Sequence, residues 1–478
     1  MDNNSKPADI FTHDGIARRD FLRVAGFGAG ALLLGNACDR EPERSVLGIT
    51  PPGKSWGGSG AGHVVVVGAG AWGGWTALNL RRRGARVTLV DAYGAGNSRA
   101  SSGDETRGIR SSYGDRTVGE TWTQWAREAI LRWREFDDQY AKEFGTKFFH
   151  HTGDVILRAE PEPFTTRTAE LWTKFGVPFE TLQVDEVRKR WPVINSDDST
   201  VVLYEPDAGV VRARYATQAV ATIAEREGVE RMYSRVRPGP VTNGKMDGVI
   251  LDDGTIVHAD AYVFACGPWL PKVFPELFGN RMRIPLGVVC YYGVPAGDNR
   301  FTFPNLPSWN FPGVTGWPTL PVDNRGFRSR GSLSNRPAGN SNTSRAGAQN
   351  NASANQQPRA PQPPPDPAQN DPDTSVRWAA ADRLEGSRRF IERRFPLLAN
   401  APLIETRSCH FDSSINRDFI VDLIPDATNA WVAGAGQAEG FKFGPVIGEY
   451  IAQRVLGDSG DSQLAQEFRM PTDEYEQA

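Results

Sequence analysis

Cysteine and histidine are scarce in this chain. Its 478 residues include four cysteines, at positions 38, 266, 290 and 409, and six histidines, of which only His150 and His151 are adjacent. Cysteines so few and so scattered exclude a disulfide framework and a cysteine-ligated zinc site, and the histidines have no metal-ligand spacing. The sequence therefore predicts no bound metal.

Neither sign of charge is in clear excess. Lys and Arg number 54 against 57 Asp and Glu, a net charge of −3, which removes any general electrostatic reason for nucleic-acid binding. Hydrophobic residues make up 39 % of the chain and aromatic residues 10 %, so a fully disordered protein is excluded. At roughly 100–200 residues per domain, the length allows two to four domains.

The long apolar run of a membrane-spanning helix is also missing. The N-terminal run at 24–35 has about 12 residues, too few to cross a hydrocarbon core of about 30 Å, so no transmembrane helix is expected in the mature chain. The run follows Arg18-Arg19, and residues 1–38 resemble a Tat export signal, which predicts contact with the Tat machinery and delivery to the periplasm or cell surface. Cys38 is a candidate lipid-anchored cysteine, and residues 39–60 are predicted to be a linker. A chance apolar N-terminus is the alternative.

A glycine-rich loop follows the first predicted strand after this leader. The elements come in the order of a dinucleotide-binding unit: a β-branched strand at 63–67, Gly68-x-Gly70-x-x-Gly73, a helix from 74 to about 83, and a strand at 86–90 that ends in Asp91. Gly68 permits the tight turn, Gly70 lets backbone amides approach a pyrophosphate, and Gly73 lets helix and strand pack closely. The helix N-terminus would stabilise phosphates, and Asp91 would accept hydrogen bonds from a ribose. The pattern predicts dinucleotide binding, with a purely structural glycine turn as the alternative.

This loop by itself does not separate NAD from FAD, but the residues after the second strand help. A polar segment rich in Gly and Ser, residues 96–110, stands where a plain NAD domain would place its third strand, and it ends in Arg107 and Arg110. If the segment is helical, the two arginines share a face. They indicate an anionic cofactor or substrate, with a solvated basic face as the alternative.

A second strand–glycine–helix unit lies near the C-terminus. The sequence predicts a strand at 430–433, a glycine-rich loop at 434–440, and a helix at 446–456 whose start would face the group that the loop holds. An ordinary strand-to-helix turn is the alternative. Residues 259–265 are predicted to form a strand that returns to the same sheet, followed by Cys266 as a small core residue.

Together these motifs resemble the monomeric sarcosine oxidase family, in the group of flavoproteins that includes D-amino-acid oxidase. The resemblance covers about residues 62–325 and 375–457. It rests on motifs in family order: residues 68–73 with Asp91, the segments 103–110 and 204–209, Arg407-Ser408-Cys409 followed by 418–422, and Gly440-Phe441-Lys442-Phe443. The implied fold is α/β (α+β overall), with a Rossmann-like FAD-binding domain and an interleaved, mainly antiparallel β-sheet substrate domain.

The implied domains are discontinuous along the chain. The FAD-binding domain is expected at 61–144, 201–272 and 405–460, and the substrate domain at 145–200 and 273–404. Residues 329–374 are polar and Pro-rich, with Leu333 as the one large aliphatic side chain, and are predicted to be a disordered insertion. Residues 461–478 form a C-terminal tail.

The resemblance also implies roles for individual residues. FAD is the cofactor, and Cys409 looks like the family cysteine that forms a thioether with the flavin 8α-methyl carbon; a buried structural cysteine is the alternative. Arg110 and Lys442 match the pair that binds the substrate carboxylate, and Arg107 matches a basic residue beside the flavin ring. The other predicted cofactor-binding residues are Gly68, Gly70, Gly73, Asp91, Gly440, Phe441 and Lys442.

Several positions depart from the family pattern, including the residues before Gly440, where Ser-Gly-His is replaced by Gln437-Ala438-Glu439. Thr315, a predicted substrate contact, stands in place of a tyrosine, and Ser332 in place of a histidine. Arg328 replaces the lysine that promotes oxygen reduction, and arginine hardly deprotonates and has a different shape. Glu439 replaces another histidine, and either binds a substrate amine or is a solvated loop acid. Arg328, Lys442 and Arg107 are the predicted catalytic residues.

The expected function is oxidation of the C–N bond of an amine or N-methyl amino acid. Hydride transfer to covalently bound flavin would give an imine that hydrolyses, with O₂ as the electron acceptor. Arg328 and the export signal suggest an alternative, an exported dehydrogenase of the same fold that uses another electron carrier. The active-site departures suggest a second one, a non-catalytic flavin-binding protein.

Overall fold

Helices and short strands, some of the strands in long runs, make up the described part of the chain. The structure, a computed structural model, describes residues 62–321, 325–333, 371–457 and 462–475. The predicted export signal at 1–38 and the linker at 39–60 lie outside the described residues. Within the described ranges, no helix is both long enough and apolar enough to cross a membrane.

The strands are short, and most have two to five residues. In chain order they are β1 (His63–Val67), β2 (Arg86–Asp91), β3 (Arg107–Ile109), β4 (Phe149–His150), β5 (Asp154–Arg158), β6 (Glu180–Thr181), β7 (Val201–Glu205), β8 (Gly209–Val211), β9 (Glu230–Tyr233), β10 (Val236–Pro238), β11 (Val241–Thr242), β12 (Lys245–Met246), β13 (Val249–Leu251), β14 (Ile256–Val257), β15 (Ala261–Phe264), β16 (Met282–Arg283), β17 (Leu286–Tyr292), β18 (Ser308–Phe311), β19 (Val314–Trp317), β20 (Phe327–Arg330), β21 (Leu403–His410), β22 (Ser413–Ser414), β23 (Ile420–Leu423) and β24 (Ala430–Gly434). The helices are α1 (Ala71–Arg82), α2 (Gly119–Phe144), α3 (Pro163–Phe175), α4 (Val184–Arg190), α5 (Ala213–Arg226), α6 (Leu270–Val273), α7 (Pro275–Phe278), α8 (Ala381–Arg394), α9 (Gly444–Val455) and α10 (Ser462–Glu467).

A six-stranded sheet carries the glycine-rich loop. Its order is β23-β24-β15-β1-β2-β9, with β23 antiparallel to β24 and the other neighbours parallel. Val64 to Val67 are all buried, as expected for a β-branched strand covered on both faces. The strand predicted at 259–265 is confirmed as β15, between β24 and β1.

Helices α1 and α9 pack against each other unusually closely. A Cβ added to Gly444 would lie 2.8 Å from an atom of Trp75, and one added to Gly448 only 2.5 Å. Both helices begin a few residues before their predicted starts, because glycines at these positions are covered by packing and stay helical. The close contact places the start of α9 beside the start of α1.

The second large sheet is mainly antiparallel, as predicted. Its eight strands have the order β21-β17-β20-β19-β18-β5-β7-β6, and only β18 and β5 pair in parallel. Its core is aromatic: Trp309 stacks on Phe327 and Phe390 with ring centroids 5.7 and 5.2 Å apart. This packing fixes β20 in the middle of the sheet.

One local prediction was wrong and one condition is not met. The sequence places Arg107 and Arg110 on one face only if their segment is helical, and Arg107–Ile109 instead forms β3, which pairs antiparallel with β8. The predicted insertion does not begin at 329, because Ser329 and Arg330 belong to β20 and pair with β17 and β19. Apolar packing of Phe327 orders the polar residues that follow it. Residues 334–370 of the insertion lie outside the described ranges, and the division into two domains stays a prediction.

Candidate functional site

One cleft collects nearly all the residues that the sequence singled out. It has a volume of about 440 Å³ and is lined both by the loop after β1 and by the loop before α9. The predicted site residues in its lining are Gly68, Gly70, Asp91, Arg107, Arg110, Thr315, Arg328, Cys409, Glu439, Gly440, Phe441 and Lys442. Gly73 is not among the lining residues, because it packs behind the loop.

The loop between β1 and α1 shows why its glycines are required. Gly68 has a φ of +103°, in the region that L side chains avoid. A Cβ on Gly73 would lie 1.8 Å from the carbonyl oxygen of Gly68, so only glycine lets the helix start so close to the strand. A Cβ on Gly70 would meet nothing nearer than Ser102 Oγ, at 3.5 Å. The cleft is therefore open on the Gly70 side, where the backbone amides of the helix start can approach an anion.

Asp91 is held at the cleft wall by backbone amides. Its Oδ2 accepts a hydrogen bond from Ala69 N at 2.7 Å, and its Oδ1 accepts from Tyr93 N at 2.8 Å and Gly94 N at 2.7 Å. These three donors fix the orientation of the carboxylate next to the glycine loop.

Asp373 joins the end of the predicted insertion to this part of the cleft. It accepts hydrogen bonds from Tyr93 Oη at 2.6 Å, Trp269 Nε1 at 2.9 Å, Lys272 Nζ at 2.6 Å and Arg235 Nη1 at 3.3 Å. Burial alone would raise the pKa of Asp373, but Lys272 and the other donors hold it well below its usual range. The insertion therefore does not extend to 374, because hydrogen bonding orders Asp373 on the folded part of the chain.

Two arginines share one buried carboxylate in the cleft. Arg107 Nη1 and Arg328 Nη2 both donate to Asp104 Oδ2, the second at 3.0 Å. Burial favours the protonated acid, but the two guanidinium groups hold the pKa of Asp104 well below its usual range. Arg328 Cζ also lies 3.7 Å from the ring centroid of Trp317, and its Nε and Nη1 have no hydrogen-bond partner among the described residues. Arg107 Nη2 is 3.6 Å from Cys409 Sγ.

Lys442, Glu439 and Arg110 form a second charged group. Lys442 Nζ donates to Glu439 Oε2 at 2.6 Å, and Arg110 Nη2 lies 3.7 Å from Glu439 Oε1. The Lys442 side chain is 2 % exposed, and burial lowers its pKa to about 8, against the raising effect of Glu439. Burial would raise the pKa of Glu439, but Lys442 and Arg110 hold it well below its usual range. Glu439 is therefore an ion-paired acid of the cleft and not a solvated loop acid.

The loop that carries Glu439 has an uncommon backbone. Ala435, Gln437 and Ala438 have φ values of +59°, +54° and +61°, each in the left-handed region that non-glycine residues seldom adopt. Asp412 supports the loop, since its Oδ2 accepts a hydrogen bond from Gly436 N at 3.1 Å. Strain of this kind persists where surrounding contacts hold it, typically at functional sites.

Comparison with known proteins identifies the family. The family model described as FAD dependent oxidoreductase (DAO) matches residues 63–454. The chain is an FAD-dependent oxidoreductase of this family. The oxidoreductase is 26 % identical over 400 residues to N-methyl-L-tryptophan oxidase of Citrobacter koseri, with 83 % of this chain and 95 % of the relative covered. It is 25 % identical over 405 residues to monomeric sarcosine oxidase of a Bacillus species, with 82 % and 92 % covered.

A solved structure shows the same fold. A thermally stable mutant of fructosyl peptide oxidase superposes with a TM-score of 0.68 at 19 % identity, covering 87 % of this chain and 94 % of that one. The predicted fold class and the resemblance to the sarcosine oxidase family are both confirmed. Membership of an oxidoreductase family favours an enzyme over the non-catalytic alternative.

The cleft of the oxidoreductase fits FAD. A pyrophosphate needs donors and open space, which the start of α1 and Gly70 offer, and a ribose hydroxyl needs an acceptor, which Asp91 offers. Arg328 adds two buried N–H groups that lack partners among the described residues. Among the residues that the structure describes, no cluster of three or more His, Cys, Asp or Glu side chains is arranged to hold a metal ion.

Sequence reasoning missed three residues of the site: Asp104, Trp317 and Arg330. Asp104 lies inside the segment 103–110 that carries the family resemblance, but nothing in the sequence pairs it with Arg328, 224 residues away. Arg330 follows Arg328 at the two-residue spacing that places side chains on one face of a strand. That signal was lost because the polar composition after 328 predicted disorder.

Proposed function

We propose that this oxidoreductase oxidises the C–N bond of an amine or an N-methyl amino acid. FAD would supply the chemistry by accepting a hydride, and the imine product would hydrolyse in water. The observation that carries the proposal is the group of Arg110, Glu439 and Lys442 in the same cleft as the glycine loop. The names of the two sequence relatives, both oxidases of N-methylated amino acids, support it.

The residues of this charged group would bind different parts of such a substrate. The Arg110 guanidinium and the Lys442 ammonium would bind the substrate carboxylate by charge-assisted hydrogen bonds. Glu439, anionic beside them, would accept a hydrogen bond from the substrate amine, and Thr315 would add a hydroxyl from β19. These contacts would hold the substrate in one orientation, which is the main contribution of a protein to cofactor chemistry.

Anaerobic mixing tests this reaction. The FAD-loaded protein is mixed with a panel of secondary amines and N-methyl amino acids, and bleaching of the flavin absorbance is followed. We expect bleaching with at least one member, and Arg110→Gln and Lys442→Met should raise KM for carboxylate-bearing substrates by about tenfold to a hundredfold. Arg300→Gln is the control, since the Arg300 side chain is 52 % exposed and forms an ion pair with Asp298 of the same turn. If no member of the panel bleaches the flavin, amine oxidation is the wrong reaction.

We further propose that FAD is attached covalently through Cys409. The family resemblance supports this assignment, and Cys409 lines the cleft beside Arg107. The test is denaturation followed by visible absorbance and peptide mass around residue 409. Flavin should stay with that peptide, and Cys409→Ala should release it, whereas Cys290→Ala should not, because Cys290 is buried in the core of the eight-stranded sheet. Complete release from the unaltered protein would contradict the proposal.

We propose O₂ as the electron acceptor, although one observation favours a second candidate. Arg328 is 1 % exposed, bound to Asp104 and stacked on Trp317, at the position where the family resemblance has a lysine. A dehydrogenase that passes electrons to another carrier would account for that change. Oxygen consumption is compared with dye reduction during turnover: rapid peroxide formation rejects the dehydrogenase, and dye reduction without oxygen uptake rejects the oxidase.

Export by the Tat route is also a proposal, and it rests on sequence because residues 1–61 lie outside the described ranges. The double substitution of Arg18 and Arg19 by lysine should retain the protein inside the cell, as measured by fractionation. Labelled fatty acid should enter the unaltered protein but not Cys38→Ser if Cys38 carries a lipid. Unchanged fractionation of the double variant would rule out the Tat route.

A further inference from the structure

Arg330 is a charged residue of the cleft that the proposed reaction does not use. It lies on β20, where it pairs with Thr315 of β19 and Val289 of β17, and all three line the cleft. Its Cζ is 5.9 Å from the ring centroid of Phe411. Apart from that ring contact, its guanidinium makes no hydrogen bond or ion pair with any residue in the described ranges.

Cations outnumber acids around Arg330. Five cations line this part of the cleft: Arg107, Arg110, Arg328, Arg330 and Lys442. The acids that pair with them are two, Asp104 and Glu439. Each acid is shared by two cations, so the pairs leave Arg330 without an acid of its own. Burial lowers the pKa of Arg330, Glu439 raises it, and Arg107 and Arg328 lower it again, which places all of them within electrostatic range.

Arg330 is half-buried, and a cation withdrawn from water without a partner is costly to the folded protein unless a ligand pairs with it. The proposed function assigns Arg110 and Lys442 to the first substrate carboxylate. A substrate with one carboxylate would then leave Arg330 unpaired, whereas a second anionic group would form a charge-assisted pair with it. Trp317 and Phe411 add apolar surface to the lining of the same cleft.

We propose that Arg330 binds a second anionic group of the substrate, so that this oxidoreductase prefers amino dicarboxylates to amino monocarboxylates. The proposal rests on the proposed function, because that function assigns the first carboxylate to Arg110 and Lys442. Thr315, opposite Arg330 on β19, can share the second group through its hydroxyl.

Binding of unreactive diacids tests the proposal without requiring turnover. Succinate and glutarate are titrated into the FAD-loaded protein by calorimetry, each beside its monoamide, which has the same length and one negative charge less. At least one diacid should bind about tenfold to a hundredfold more tightly than its monoamide. Arg330→Gln should bring that ratio close to one, Arg330→Lys should keep part of it, and the control Arg300→Gln should keep all of it.

The outcomes separate this proposal from the proposed function. If the unaltered protein does not distinguish either diacid from its monoamide, or if folded Arg330→Gln with full FAD content keeps the whole ratio, the second anion site is wrong. If Arg330→Gln fails to fold, the ratio of diacid to monoamide affinity in the unaltered protein and in Arg330→Lys still decides whether the second anion site exists. If the ratio depends on Arg330 but no amine bleaches the flavin, the anion site stands and the reaction is wrong. If amines are oxidised, kcat/KM for N-methylaspartate or N-methylglutamate should exceed that for its amide counterpart, and equal values would overturn the substrate preference.

Discussion

Replacing Glu439 by glutamine should move the pH at which Lys442 loses its charge. The Lys442 side chain is 2 % exposed, and its Nζ donates to Glu439 Oε2 at 2.6 Å. Burial lowers the pKa of Lys442 to about 8, and Glu439 is the main group that raises it. Glutamine has nearly the same shape but no charge, so the variant removes that stabilisation of the ammonium.

The size of the shift follows from this one hydrogen bond. A hydrogen bond to a charged group contributes about 1.5–3 kcal/mol, which corresponds to about one to two pH units. Binding of a carboxylate requires the ammonium form, so it is present below the pKa of Lys442 and is lost as the pH rises through it. The unaltered protein should lose binding near pH 8, and Glu439→Gln about one to two units lower.

The assay is titration of propionate into the FAD-loaded protein from acidic to alkaline pH, followed by the change in flavin absorbance. At acidic pH the variant should bind propionate more tightly, because Glu439 no longer competes for Lys442. The matched control is Glu227→Gln, which removes an acid that pairs with Arg82 at the helix surface. A midpoint that stays in place or moves to higher pH in Glu439→Gln would refute the reasoning.

Three further predictions address the cofactor and the rim of the cleft. Gly73→Ala should abolish FAD binding, because its Cβ would lie 1.8 Å from Gly68 O. The control Gly74→Ala, whose Cβ would have no neighbour nearer than 3.5 Å, should keep full flavin absorbance. Equal FAD content in the two variants would contradict this prediction. Arg328→Lys should speed reoxidation of reduced flavin by O₂ by about tenfold or more, measured by stopped flow, because it restores the lysine of the family pattern. An unchanged rate would show that the residue at position 328 does not control the reaction with oxygen. Asp373→Asn should lower the free energy of unfolding by about 2–3 kcal/mol in denaturant at neutral pH. Because the pKa of Asp373 is lowered from 3.8 in the folded protein, its contribution is present above that pH and the difference should shrink below it; a constant difference would show that the charge is not responsible.

The sequence by itself determined the dinucleotide-binding unit and the family, because the signals for both are local along the chain. A β-branched strand, three glycines at set spacing, a helix and a terminal acid are adjacent along the chain, and each has a conformational reason that needs no distant contact. Gly68 needs a positive φ, and Gly73 needs the absence of a Cβ. The position of Lys442 after the glycine-rich loop came from the family resemblance, whereas the left-handed backbone of that loop at Ala435, supported through Asp412, was not predicted. The residue roles carried over from the family, including that of Cys409, stay predictions.

Only the tertiary structure decided how the charges of the cleft are paired. Asp104 meets Arg328 across 224 residues, and Asp373 meets Tyr93 across 280, separations at which composition and periodicity say nothing about contact. The sequence predicts disorder at Arg330 because its neighbours are polar, yet the packing of Phe327 in the aromatic core of the second sheet makes Arg330 part of a strand. Pairing energies depend on distance and burial, and these are set by the whole fold and not by the local sequence. The anion preference proposed for this cleft therefore follows from which cation the fold leaves without a partner among the described residues.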